Sequence, residues 1–126
     1  MSLYGIGIDV VEVDRIQSSI GEFGEQFLNR IFTHKEQEYC ESQKNKELSY
    51  AARFAAKEAI SKAFGTGIGK SVGWKDIEII RKDSGEPTVI LHDRAKEYAE
   101  KIGISEVKIS LTHAKHYAAA NAVILV

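Results

Sequence analysis

Alternation dominates the start of the chain: Tyr4, Ile6, Ile8 and Val10 interleave with Gly5, Gly7, Asp9 and Val11, the period of a strand whose two faces differ. One face is bulky and the other nearly bare. Glycine weakens a strand, so the bare face carrying Asp9 predicts close packing by a helix or a ligand. The spacing of Val13, Ile16 and Ile20 then predicts a short helix ended by Gly21 and Gly24. Thr33 with Glu36 matches a capping box, which predicts a helix from His34 to about Ser42, followed by an exposed basic loop over Gln43 to Lys46. From Leu48 to Phe64 the chain has six alanines and no proline or glycine, and it stops at Gly65-Thr66-Gly67-Ile68-Gly69. Those alanines gather on one broad side of the helix, where another backbone can approach, and Tyr50, Phe54, Ile60 and Phe64 make the rest largely apolar.

Ile77 to Arg81 and Thr88 to Leu91 read as a hairpin turned by Lys82-Asp83-Ser84-Gly85-Glu86-Pro87. Ala95, Tyr98, Ala99 and Ile102 recur at helical spacing up to Gly103, and Val107, Ile109 and Leu111 alternate as a strand ending near His113. Tyr117 to Val126 predicts a last, buried strand, because Val123-Ile124-Leu125-Val126 favours β structure over the helix its alanines would allow. The expected fold class is α+β, an antiparallel sheet packed against a long alanine-rich helix, in one domain over residues 1–126.

Composition narrows the function classes. The 17 Lys plus Arg against 18 Asp plus Glu give a formal charge of −1, which argues against a nucleic-acid binder relying on a broad basic field. Cys40 is the only cysteine, so disulfide frameworks, four-cysteine zinc sites and Cys-x-x-Cys redox motifs are excluded, and a reducing, cytoplasmic setting is expected. The longest apolar stretch, Tyr117 to Val126, is ten residues against the ~20 that span a bilayer, and no signal peptide is expected at the N-terminus.

Two phosphate motifs are near misses. Gly69-Lys70-Ser71 lacks the earlier glycine of a P-loop, since Phe64 stands there, and it follows a helix instead of a strand. Gly5-Ile6-Gly7 lacks the third glycine of a dinucleotide fingerprint, because position 10 is valine. His113 and His116 sit at a strand end, where their spacing suits a shared metal poorly. Charges in apolar settings say more. Asp9 in a hydrophobic strand must be paired or metal-bound, since burying a lone carboxylate costs several kcal/mol or more. Glu58 and Lys62 form an i,i+4 pair in the favourable order, whose plainest role is helix stabilisation. Arg53 and Lys57 are like charges at the same spacing, a defect that becomes useful if a polyanion binds beside the helix. A magnesium-phosphate site built on Asp9, Glu58 and these basic residues therefore stands beside simple salt bridging as the alternative.

At this point the sequence resembles a known family. The run from Gly5-Ile6-Gly7-Ile8-Asp9 to Arg15-Ile16, and Arg53-Phe54-Ala55-Ala56-Lys57-Glu58-Ala59 with Lys62-Ala63-Phe64-Gly65-Thr66-Gly67, are similar to the two signatures of holo-acyl-carrier-protein synthases, the short 4′-phosphopantetheinyl transferases. Trp74-Lys75-Asp76-Ile77-Glu78, Gly85-Glu86-Pro87 and Ser110-Leu111-Thr112-His113 with Tyr117-Ala118-Ala119-Ala120 follow in the right order, so the likeness covers nearly the whole chain. The resemblance implies transfer of the phosphopantetheine arm of coenzyme A to a serine of apo acyl carrier protein, releasing adenosine 3′,5′-bisphosphate. It implies Mg²⁺ held by Asp9 and Glu58, with Glu58, directly or through a metal-bound water, accepting the serine proton and Lys62 stabilising the leaving phosphate. It further implies that Arg53 and His113 contact coenzyme A phosphates, that Gly65 and its loop let backbone approach the nucleotide, and that active sites lie between the protomers of a homotrimer. An acidic carrier would dock near Arg15, although Glu12, Asp14, Glu22 and Glu25 surround it and shift the expected basic surface towards Arg30, Lys35, Lys44 and Lys46. A coenzyme A-binding module without turnover and a purely structural trimer are the competing readings. Retention of Asp9, Glu58 and Lys62 together favours the enzyme.

Overall fold

A computed structural model describes residues 1–126. The chain runs β1 (Leu3–Glu12), α1 (Val13–Phe23), α2 (Glu25–Ile31), α3 (His34–Glu41), α4 (Lys46–Phe64), β2 (Ile77–Arg81), β3 (Pro87–Leu91), α5 (Asp93–Ile102), β4 (Glu106–His113) and β5 (Tyr117–Leu125). β1, β5 and β4 form one antiparallel sheet in that order, and β2 with β3 forms a separate two-stranded hairpin. The expected α+β architecture is observed.

The helix α4 lies across the sheet, and the reason is written in small residues. Ala118, Ala120, Ala122 and Ile124 turn inward from β5 and are buried, as are Ala51, Ala55, Ala56, Ala59 and Ala63 on the helix. β1 comes closest of all. A Cβ added at Gly5 would lie 2.0 Å from the carbonyl oxygen of Ala63, and one at Gly7 would lie 2.0 Å from that of Ala59. No side chain fits there, so the bare face of the predicted strand is bare because a helix backbone occupies the space.

The opposite face of β1 is uncovered. Ile6, Ile8 and Val10 are 68%, 66% and 61% exposed, an apolar ladder of a kind that marks an interaction surface when it is contiguous. Across the sheet this face becomes polar, with Lys108, Ser110 and Thr112 of β4 exposed.

Three local departures from the sequence reading have clear causes. α1 does not end at Gly21 but continues to Phe23, where Gly24 breaks it at φ 55°; an exposed helical glycine costs about 1 kcal/mol, too little to stop a helix with packed neighbours. The seven-residue α2 follows, an element the sequence reading did not include. α4 begins at Lys46, two residues before the expected Leu48, because the Asn45 side chain accepts the Leu48 N–H at 3.2 Å, so the expected loop loses one residue at its end. The capping box of α3 forms as expected, Thr33 Oγ1 accepting from Glu36 N and Glu36 Oε1 accepting from Thr33 N.

Candidate active site

Asp9 sits two residues beyond Gly7 on the face of β1 that meets α4, so its short side chain is delivered to the helix surface. Lys62 Nζ lies 3.0 Å from Asp9 Oδ1 and also donates to the Ile8 carbonyl at 3.1 Å. Glu58, one turn earlier on α4, shares an open cleft of about 400 Å³ with Asp9, Glu12, Arg15 and Phe54. The two carboxylates that the sequence singled out, far apart along the chain, therefore line one recess. The ion pair expected between Glu58 and Lys62 does not form: Lys62 closes on Asp9 instead and leaves Glu58 without a cationic partner.

That arrangement has an electrostatic signature. Partial burial raises the Glu58 pKa above the ordinary glutamate range, the negative charge of Asp9 raises it further, and Lys62 opposes both. A carboxyl group tuned upward is a better proton acceptor near neutral pH than an ordinary glutamate.

Arg53 and Lys57 separate into different roles, and the expectation that both would face a polyanion is corrected for Lys57. Its side chain is fully buried, with Nζ 2.8 Å from Glu36 Oε1 and donating to the carbonyls of Trp74 and Ile77. Burial pulls the ammonium below the usual lysine range, and the Glu36 carboxylate opposes that pull. Glu36 is anchored in turn, since its Oε2 accepts the Ile79 N–H at 2.8 Å. Lys57 thus ties α4 to α3 and β2 and is not available to a ligand.

Arg53 is only 2% exposed, yet its guanidinium is incompletely satisfied. It stacks 4.2 Å from the ring centroid of Tyr39 and NH1 donates to Ser49 Oγ at 3.2 Å, while buried Nε has no partner. Arg53, Lys44, Arg81 and His113 line a recess of about 210 Å³ that is distinct from the cleft holding Asp9 and Glu58. Several basic groups around an unpartnered N–H suit an anion. One chain therefore does not bring Arg53 and His113 together with the acidic pair. Tyr39 and Arg81 were missed from sequence; an aromatic on a short polar helix and a basic residue at a strand end carry no distinguishing signal.

Gly65 caps α4 at φ 83° and Gly67 follows at φ 65°, conformations that glycine adopts without strain. This loop emerges from a helix C-terminus, unlike a P-loop. His113 and His116 are exposed and do not join a metal-binding cluster, and no group of three or more His, Cys, Asp or Glu side chains converges in the chain.

Residues 5–122 match the model of the 4′-phosphopantetheinyl transferase superfamily. The chain is 51% identical over 120 residues to a holo-[acyl-carrier-protein] synthase of Ruminiclostridium cellulolyticum, covering 94% of this chain and 90% of that protein. It is 50% identical over 126 residues to the corresponding enzyme of Chlamydia felis, covering all of both. Among solved structures, the holo-[acyl-carrier-protein] synthase of Neisseria meningitidis superposes with a TM-score of 0.94 at 34% identity, covering 99% of this chain and 100% of that one. The Helicobacter pylori enzyme in complex with coenzyme A superposes with a TM-score of 0.86 at 33% identity, covering 95% and 99%. By both sequence and backbone likeness, the chain belongs to the holo-acyl-carrier-protein synthase family of the 4′-phosphopantetheinyl transferase superfamily.

Proposed function

We propose that this single-domain protein, residues 1–126, is a Mg²⁺-dependent holo-acyl-carrier-protein synthase of the cytoplasm. It moves the 4′-phosphopantetheine group of coenzyme A to a serine of apo acyl carrier protein and releases adenosine 3′,5′-bisphosphate. The observation that carries this reading is the meeting of Asp9 and Glu58 in one cleft, with Lys62 against Asp9.

The donor set fits the metal. Magnesium takes one or two protein carboxylates and completes its octahedron with substrate phosphate oxygens and water, and Asp9 with Glu58 supplies that share. Burial first, and the negative charge of Asp9 after it, raise the proton affinity of Glu58, and a divalent cation would relieve the second of these. Held by Asp9 and Glu58, Mg²⁺ would supply positive charge to offset that of the coenzyme A diphosphate and of the phosphoryl group in transfer.

In the transfer, the serine oxygen of the carrier forms a bond to the phosphorus that bears the pantetheine arm. The bond from that phosphorus to the oxygen retained by the adenosine bisphosphate breaks. Glu58, which lines the open cleft, accepts the serine proton. Lys62, exposed over half of its side chain while paired with Asp9, offers its ammonium to the departing phosphate oxygen. Arg53 and His113 bind further phosphate of coenzyme A, and the Gly65 turn presents backbone to the nucleotide.

Because Arg53 and His113 lie in a different recess from the acidic pair, the reading includes a homotrimer in which these residues of one copy face Asp9 and Glu58 of the next. The exposed ladder of Ile6, Ile8 and Val10 supports such an assembly. The acidic carrier docks near Arg15, which opens onto the cleft.

Incubating the protein with coenzyme A, Mg²⁺ and an apo carrier should add one phosphopantetheine mass to the carrier. Binding of coenzyme A with no mass change on any carrier would favour the binding module without turnover. Ile8→Lys should convert trimer to monomer in light scattering and abolish transfer; a monomeric wild type would overturn the assembly.

A further inference from the structure

Between Phe64 and Trp74 the chain has neither helix nor strand and contains Gly65, Gly67, Gly69 and Gly73. Its entry is fixed by α4: Gly65 N donates to the Lys62 carbonyl at 2.9 Å and Gly67 N to that of Ser61 at 3.1 Å. Its exit is fixed by buried Val72 and by Asp76, whose Oδ2 accepts the Gly73 N–H at 2.9 Å. The span between, Thr66 to Lys70, receives a hydrogen bond from one side chain outside the segment. Arg94 NH1, reaching over from α5, donates to the Lys70 carbonyl at 2.9 Å.

The same guanidinium is braced from behind. Arg94 Nε lies 3.5 Å from Asp76 Oδ2, the atom that also holds Gly73. A Cβ at Gly73 would stand 2.4 Å from Arg94 NH2, so a side chain at position 73 would make the guanidinium shift from where it now sits. Arg94 itself is 56% exposed at the side chain, and the chemistry assigned above does not use it. A glycine-rich segment with only local bonds samples many shapes, and fixing it in one removes an ordering cost from ligand binding.

We infer that Arg94 is a positioning residue for coenzyme A, clamping the glycine-rich loop where its backbone meets the nucleotide. This assignment rests on the proposed transferase reading, in which that loop faces coenzyme A. A group that only preorganises a binding loop affects substrate and transition state alike, so its loss raises Kd and KM and leaves kcat nearly unchanged.

The test is calorimetric and kinetic. Arg94→Ala should weaken coenzyme A binding roughly three- to tenfold, the span expected for one charge-assisted hydrogen bond on a half-exposed group, with kcat within about twofold of wild type and the carrier KM unchanged. Arg94→Lys, which keeps a cationic donor for the Lys70 carbonyl, should recover part of the affinity. Gly73→Ala should displace the guanidinium and copy Arg94→Ala, and the double variant should be no worse than either single one. Hydrogen exchange at the amides of residues 66–71 should accelerate in Arg94→Ala while α4 stays protected. Wild-type affinity in Arg94→Ala, a loss confined to kcat, or additive effects in the double variant would overturn the assignment. A wild-type protein that fails to bind coenzyme A would overturn the transferase reading instead.

Discussion

Lys57 and Glu58 are adjacent in the chain and end in opposite settings. Lys57 points into the protein, has no exposed surface, and finds a carboxylate at 2.8 Å together with two backbone carbonyls. Glu58 points into an open cleft, where the strongest charge acting on it, after its own desolvation, is that of another carboxylate, Asp9. The lysine has every partner it can use, and its charge is spent on joining three elements. The glutamate is left short of positive charge in a place that solvent and substrate reach. Full partnering marks architecture, and a deficit of partners beside open space marks chemistry.

Removing the exposed member should give the largest effect. Glu58→Ala and Asp9→Ala should each lower carrier modification about 10³-fold or more, followed by mass spectrometry, while the unfolding midpoint stays at or above that of wild type. Transfer within tenfold of wild type in either variant would break the contrast, as would loss of folding in both. Removing the buried member should act on stability first. Lys57→Met strands the Glu36 carboxylate in the core and should cost about 3–5 kcal/mol in urea denaturation, and a second change, Glu36→Leu, should return much of it. An unchanged midpoint in Lys57→Met would mean that the pair anchors nothing.

The smallest effect has the most telling sign. The Glu58 pKa is raised in the folded state, so its ionised form is a cost to the fold that is absent below the unfolded glutamate pKa and develops as pH rises through the folded one. Glu58→Gln should therefore melt higher than wild type at pH 7, by about 2 °C or less because solvent screens a partly exposed carboxylate, and the advantage should vanish near pH 4. A lower melting temperature at pH 7, measured by calorimetry without added metal, would put Glu58 with Lys57 among the structural charges.

Much of this molecule is legible in its sequence because its long elements are strongly periodic. β1, α4, the β2–β3 hairpin, α5 and the final two strands fall close to the positions that alternation, helical spacing and glycine stops indicate. α2 was illegible, being a seven-residue helix wedged after a glycine with no cap to announce it. At the site, Asp9 stood out because a carboxylate in an apolar strand demands an explanation, Glu58 and Lys62 as an i,i+4 charge pair in an alanine-rich helix, and the latter two again through the signature they share with a known family. Lys57 misled for a specific reason: a lysine in an alanine-rich helix reads alike whether it faces solvent or a carboxylate from a distant turn. Only the docking of α3 against α4 brings Glu36 to it. The unpartnered Nε of Arg53 was likewise invisible, since burial of a guanidinium against Tyr39 depends on contacts that no local pattern encodes.

The glycines of β1 have a consequence beyond packing. Asp9 and Glu58 carry short side chains on two separate backbones, so the point both can reach is set by how near strand and helix stand, and Gly5 and Gly7 set that clearance. A single methyl at position 7 would meet the Ala59 carbonyl, and whichever backbone gave way would carry one acid off its mark. Magnesium tolerates little error in its coordination sphere, whereas calcium accepts longer and looser arrangements. In the proposed magnesium site, the separation of the two acids is thus fixed from a position that has no side chain, out of sight of any survey restricted to the acids themselves.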